Sequence, residues 1–180
     1  MATKYLKATG TYAVCETPKL LSRTTGDMKN QFALNSTSFA STKAENGMLL
    51  VVNEYTEKID LPAGITSYVY LHNSPVKDYE GKGKNTVAVG LNEMLPVMYK
   101  LNVGDTIITN AVIYDDGTYA DVAAITAAIN ATTVYGIPDT TGFIKLVAAA
   151  GGTEVVVLKA KSVTTLANGA TAIKFVVTMA

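Results

Sequence analysis

The pattern of apolar and polar positions divides the chain near residue 46. From Thr17 to Asn46 the sequence is polar and rich in Ser, Thr and Asn, with Phe32, Leu34 and Phe39 spaced too irregularly for a helical or strict strand period. Residues 1–46 therefore read as an extended N-terminal arm or loop-rich segment with a few apolar anchors, packing along its own domain or reaching a neighbour. After Gly47 short β-prone runs follow one another at 48–53, 67–71, 86–91, 106–114, 143–148, 153–161 and 171–179, each with branched or aromatic residues. Pro62-Ala63-Gly64, Asn73-Ser74-Pro75, Asp115-Asp116-Gly117 and Ala150-Gly151-Gly152 punctuate them. This spacing predicts a mainly β fold over residues 47–180, a small β-barrel or β-sandwich with one short α-helix.

Two local elements stand out. Asn168-Gly169 supplies the positive backbone angles of a tight hairpin between two strands of matching length. In the second of these strands Ile173, Phe175, Val177 and Met179 share the face that enters the core. The helix begins near Thr118, where Thr118-Tyr119-Ala120-Asp121 resembles a capping box and Val122, Ile125 and Ile129 recur on one face. Such a helix suits the end of a barrel or an open sheet edge.

Composition narrows the classes of function. Hydrophobic residues make up 48% of the 180 positions and charged residues 17%, which excludes a disordered chain and leaves a weakly charged surface that a neighbour can cover. Lys plus Arg and Asp plus Glu number 15 each, so no global field holds a nucleic-acid backbone or an anionic membrane. Locally the balance breaks: Lys4, Lys7, Lys19, Arg23, Lys29 and Lys43 dominate the N-terminal segment, whereas Asp105, Asp115, Asp116 and Asp121 form an acidic stretch. That asymmetry can orient identical subunits on one another. No apolar run has the length of a bilayer span, and a single cysteine makes no internal disulfide. The N-terminus has no apolar signal core, so a reducing cytoplasm is the expected place of synthesis.

Candidate chemistry is sparse. There is no Trp, one His (His72), one Cys (Cys15) and no catalytic or metal-ligand spacing, so no catalytic residue, cofactor or metal is expected. Glu80-Gly81-Lys82-Gly83-Lys84-Asn85 falls short of a phosphate loop because Asp78 stands where the first Gly is needed and Asn85 where the hydroxyl belongs. The stretch from Pro75 to Asn85 reads instead as an exposed charged loop whose Lys82 and Lys84 are expected to contact another subunit. Asp115-Asp116-Gly117 with Asp121 lacks the alternating acids and terminal Glu of a calcium loop and reads as a turn. His72 reads as a hydrogen-bonded residue at a strand end, and Cys15 as a small buried hydrophobe. The partner-binding candidates are the basic and aromatic anchors Lys4, Lys7, Arg23, Phe32, Phe39, Lys82 and Lys84.

From Leu101-Asn102-Val103-Gly104-Asp105-Thr106 through Tyr114-Asp115-Asp116-Gly117 the chain resembles small virion proteins encoded beside the major capsid protein of tailed bacteriophages. Its Thr/Ala/Gly-rich texture over residues 86–180 is similar to that of head decoration, or cement, proteins. The resemblance implies a non-enzymatic homo-oligomer, made in the host cytoplasm and located on the virion. Such a protein binds the major capsid protein and copies of itself on the outer capsid surface, with no nucleic acid or membrane partner, and stabilises contacts between capsomers. Many copies making modest contacts add through a lattice. The alternatives are a tail-tube, head-completion or fibre component, or a carbohydrate-binding β-sandwich in which Asp115 and Tyr119 line the sugar site.

Overall fold

The structure, a computed structural model, describes residues 2–74, 88–95, 97–131 and 134–180. In chain order the first strands are β1 (Thr3–Tyr5), β2 (Cys15–Lys19), β3 (Met28–Lys29), β4 (Phe32–Leu34), β5 (Leu49–Asn53), β6 (Lys58–Asp60), β7 (Tyr70–His72) and β8 (Met94–Leu95). There follow β9 (Met98–Lys100), β10 (Thr106–Thr109), β11 (Val112–Asp115), β12 (Tyr135–Pro138), β13 (Ile144–Val147), β14 (Val157–Thr165) and β15 (Thr171–Met179). Helix α1 (Leu21–Thr25) lies between β2 and β3, and α2 (Val122–Asn130) between β11 and β12.

The strands form two sheets, of order β1-β11-β13-β12-β14-β15-β10-β2 and β3-β9-β7-β5-β6-β4-β8. Pairing is antiparallel except between β11 and β13 in the first sheet and β4 and β6 in the second. Both sheets are open at their ends, so the mainly β expectation is met by two sheets rather than a closed barrel. One core cluster joins Leu49, Leu71 and Tyr99 of the second sheet to Ile107, Val112, Ile144 and Phe175 of the first. Another joins Leu34, Leu50, Ile59 and Met98 to Ile113 and Phe143. Each cluster draws on both sheets, so neither sheet has its apolar face covered without the other.

The hairpin forms where expected, with Thr165 opposite Thr171 across the turn. Its geometry differs: among the described non-glycine residues only Gln31 and Glu57 have positive φ, so Gly169 at φ 81° takes the left-handed position and Asn168 does not. The Gly169 amide donates to the Leu166 carbonyl, and the Leu166 amide donates to that of Ala170. This is the longer hairpin connection with one left-handed glycine. Along β15 the side chains of Ile173, Phe175 and Val177 are buried as the alternation required, and Met179 emerges at the end.

Helix α2 also forms, with its start three residues later than a cap at Thr118 would give. Asp121 is the N-cap itself, its Oδ1 accepting the Ala124 amide at 2.9 Å. Ile125 and Ile129 enter the core, and the helix packs against β14, an interior strand, rather than plugging a barrel or covering an edge. A second helix, α1, breaks the expectation of a single one.

Residues read as an N-terminal arm are woven into both sheets. β1 and β2 supply the two edges of the first sheet, β3 an edge of the second, and β4 lies between β6 and β8. The boundary at residue 46 falls in a packed corner where Ala44, Glu45 and Asn46 are all buried and Ala44 bridges Val89. Backbone pairing together with scattered buried side chains such as Leu20, Leu34 and Phe39, rather than a periodic apolar face, holds this segment in place.

His72 ends β7 and is 1% exposed, its Nδ1 3.3 Å from the Val97 carbonyl and its Nε2 3.5 Å from the Ser74 hydroxyl. Burial pushes its pKa down to about 4, only partly opposed by the Val97 carbonyl. Below its ordinary value of 6.5 the unfolded chain takes up a proton that the folded chain refuses until about pH 4. This contribution is therefore fully present above pH 6.5 and falls away as the pH drops towards 4, by about 3 kcal/mol in total. Urea unfolding at pH 7.5 and 4.5 should show a steeper loss for the native chain than for His72→Gln. Equal losses would refute the assignment.

Candidate functional site

The candidate site is a pocket of about 530 Å³ where the N-terminal segment crosses the start of β5 and the approach to β13. Tyr5, at the end of edge strand β1, is 48% exposed and meets the Phe143 ring edge-on at a centroid separation of 5.2 Å. Between these rings and Tyr12 stands the Lys7 ammonium, 5.2 Å from the Phe143 centroid, 5.8 Å from Tyr5 and 5.9 Å from Tyr12. Each ring face attracts the cation electrostatically.

The charge of Lys7 is met by Glu45, whose two carboxylate oxygens lie 2.6 and 2.7 Å from Nζ. Glu45 also accepts the Ala13 amide at 2.6 Å. One carboxylate therefore fastens both ends of the 7–13 crossing to the corner before β5. With side-chain exposures of 16% and 10%, the pair is largely shielded from water, so it depends on remaining complete. Lys43 overhangs the outer side, its Nζ 5.5 Å from the Tyr12 centroid.

A second cavity, of about 400 Å³, adjoins the same crossing and is lined by Lys4, Thr9 and Tyr114. Tyr5 and Lys7 line both cavities.

The sequence-derived candidates are scattered over this framework. Lys7 lies in the pocket, and Lys4 on β1 donates to the Ala120 carbonyl at 3.2 Å. Arg23 sits on α1 with its guanidinium 5.2 Å from the Tyr99 centroid, beside the second sheet. Phe32 is half-buried against the second core cluster. Phe39 is only 1% exposed and belongs to that core with Leu34, Met48 and Leu50, so it is not a surface anchor. Lys82 and Lys84 lie outside the described residues. Tyr12, Lys43, Glu45 and Phe143 went unselected because the fold, not sequence spacing, brings them together.

The acidic stretch does not converge. Asp105 accepts the amides of Leu21 and Asn102, Asp115 pairs with Lys145 at 3.3 Å, Asp116 accepts the Ala2 amide and Asp121 caps α2. Each carboxylate serves a different local join, and no cluster of three or more metal-ligating side chains occurs among the described residues. Tyr119 is 4% exposed, so its ring is not available to line a sugar site with Asp115. Burial also raises the Tyr119 pKa.

No helix among the described residues is long and apolar enough to cross a membrane. Comparison with family models, curated proteins and solved structures found no match for this chain.

Proposed function

We propose that this chain is a non-enzymatic virion structural protein that binds the outer surface of a tailed-phage capsid and braces contacts between capsomers. The observation that carries the reading is an apolar edge built around the same 101–106 segment that bears the resemblance. Val103 is 66% exposed at the tip of the turn and Leu21 49% exposed at the start of α1. The Asp105 carboxylate holds them together by accepting the Leu21 amide at 2.8 Å and the Asn102 amide at 2.9 Å. Gly104 donates to the Val177 carbonyl, which places the turn beside the end of β15, where Met179 is 38% exposed. Exposed apolar side chains gathered on a weakly charged surface favour a covered face.

The partners in this reading are the major capsid protein and further copies of the chain. The test is co-sedimentation with expanded, empty capsids of the encoding phage. The native protein should pellet with the shells and saturate, and a Leu21→Asp/Val103→Asp variant should bind at least about tenfold more weakly. Native protein left in the supernatant at saturating concentration would overturn the proposal.

A further inference from the structure

We infer that the pocket bounded by Tyr5, Tyr12 and Phe143 is a saccharide-binding site that prefers a carboxylated sugar to a neutral one. Its volume of about 530 Å³ lies within the range of small-ligand sites, about 300–1,000 Å³. Its walls combine the solvent-facing parts of the Tyr5 and Tyr12 rings, which offer apolar surface to the C–H groups of a pyranose, with the hydroxyls of Ser41, Thr42 and Thr140. All three of these residues are exposed, and their hydroxyls have no hydrogen-bond partner among the described residues. A ligand with both apolar C–H faces and hydroxyl groups matches this mixed lining, to which Met48 and Leu61 also contribute.

Charge narrows the class further. The place among the three rings is already taken by the Lys7 ammonium, so a cationic ligand would have to displace the protein's own cation. Lys7 and Glu45 cancel, leaving Lys43, which has no carboxylate partner among the described residues, as the excess charge at the mouth. A single positive charge beside stacking surfaces and free hydroxyls selects a monoanionic sugar. This inference is independent of capsid binding: the pocket adjoins the Tyr5 end of β1, which pairs with Ile113, whereas Leu21 and Val103 lie beyond the Lys19 and Thr106 ends of β2 and β10.

The test follows the amide spectrum of the ¹⁵N-labelled full chain during titration with D-glucuronic acid and, separately, with methyl glucoside. Both sugars should move the amides of Thr42, Lys43 and Phe143, the acid binding about threefold more tightly. Lys43→Ala should abolish that preference, bringing the affinities for the two sugars together. Tyr12→Ala should weaken both by at least about fivefold. Tyr5→Ala, which alters a half-exposed ring, provides the same readout if the Tyr12 variant loses its dispersed spectrum. Absence of shifts at these amides with both sugars, or unchanged affinity in a folded ring variant, would overturn the inference.

Discussion

Replacing Glu45 with alanine is expected to lower the unfolding free energy by roughly 3–5 kcal/mol, the usual cost of removing one partner from a shielded ion pair. The substitution leaves the Lys7 ammonium among three rings without its counter-charge and frees the Ala13 amide, which is buried. Glu45→Gln should cost less, because a carboxamide oxygen still accepts the Ala13 amide while the ion pair is lost. Urea denaturation of the three proteins orders them native, Gln, Ala. An alanine variant as stable as the native chain would mean that the 7–13 crossing is held by something other than this carboxylate.

Asp105→Ala is expected to cost about 3–4 kcal/mol, since two hydrogen bonds to a charged acceptor are lost at about 1.5–3 kcal/mol each and one freed amide can recover water. Asp105 is 1% exposed and its two oxygens serve different elements: Oδ2 closes the 102–105 turn and Oδ1 receives the first amide of α1. Leu20, the residue before α1, supplies no side-chain cap of its own. A carboxylate distant in sequence therefore performs the capping role usually filled locally. Thermal unfolding should show the loss, and Asp105→Asn should recover part of it through its remaining carbonyl oxygen. Equal stability of Asp105→Ala and the native chain would remove this residue as the join between α1 and the turn.

Val-Gly-Asp thus has a structural meaning that the sequence alone could not supply. The partner of Asp105 was not visible, because Leu21 is far away along the chain. The C-terminal hairpin and α2 were legible for the opposite reason. Their apolar residues repeat at strand and helix periods within a single segment, so Phe175 and Ile125 declare their burial locally.

Strand β12 escaped because Tyr135-Gly136-Ile137-Pro138 contains two residues that normally interrupt strands. Gly136 is required there by packing: a Cβ would collide with the Ile144 side chain and lie 3.1 Å from the Phe175 ring. The run 106–114 looked continuous, yet it divides into β10 and β11 at Asn110-Ala111, where the Asn110 side chain accepts the Val14 amide at 2.6 Å. The N-terminal strands were hidden by their length and exposure; all three residues of β1 are exposed, so no apolar alternation marks them. The pocket was hidden for the same physical reason as the Asp105 cap, since positions 5, 12, 45 and 143 meet only after both sheets have formed. The excess of basic residues in the first 43 positions was its one sequence signal, and it pointed to Lys7 without identifying Glu45.

The most direct test of a surface-bracing role is an electron-microscopic reconstruction of the native particle with this chain labelled. A bracing protein should give density of this two-sheet fold outside the shell at capsomer junctions, with the Leu21–Val103 edge against the capsid. Labelled density confined to the tail tube, or none on the particle, would contradict it.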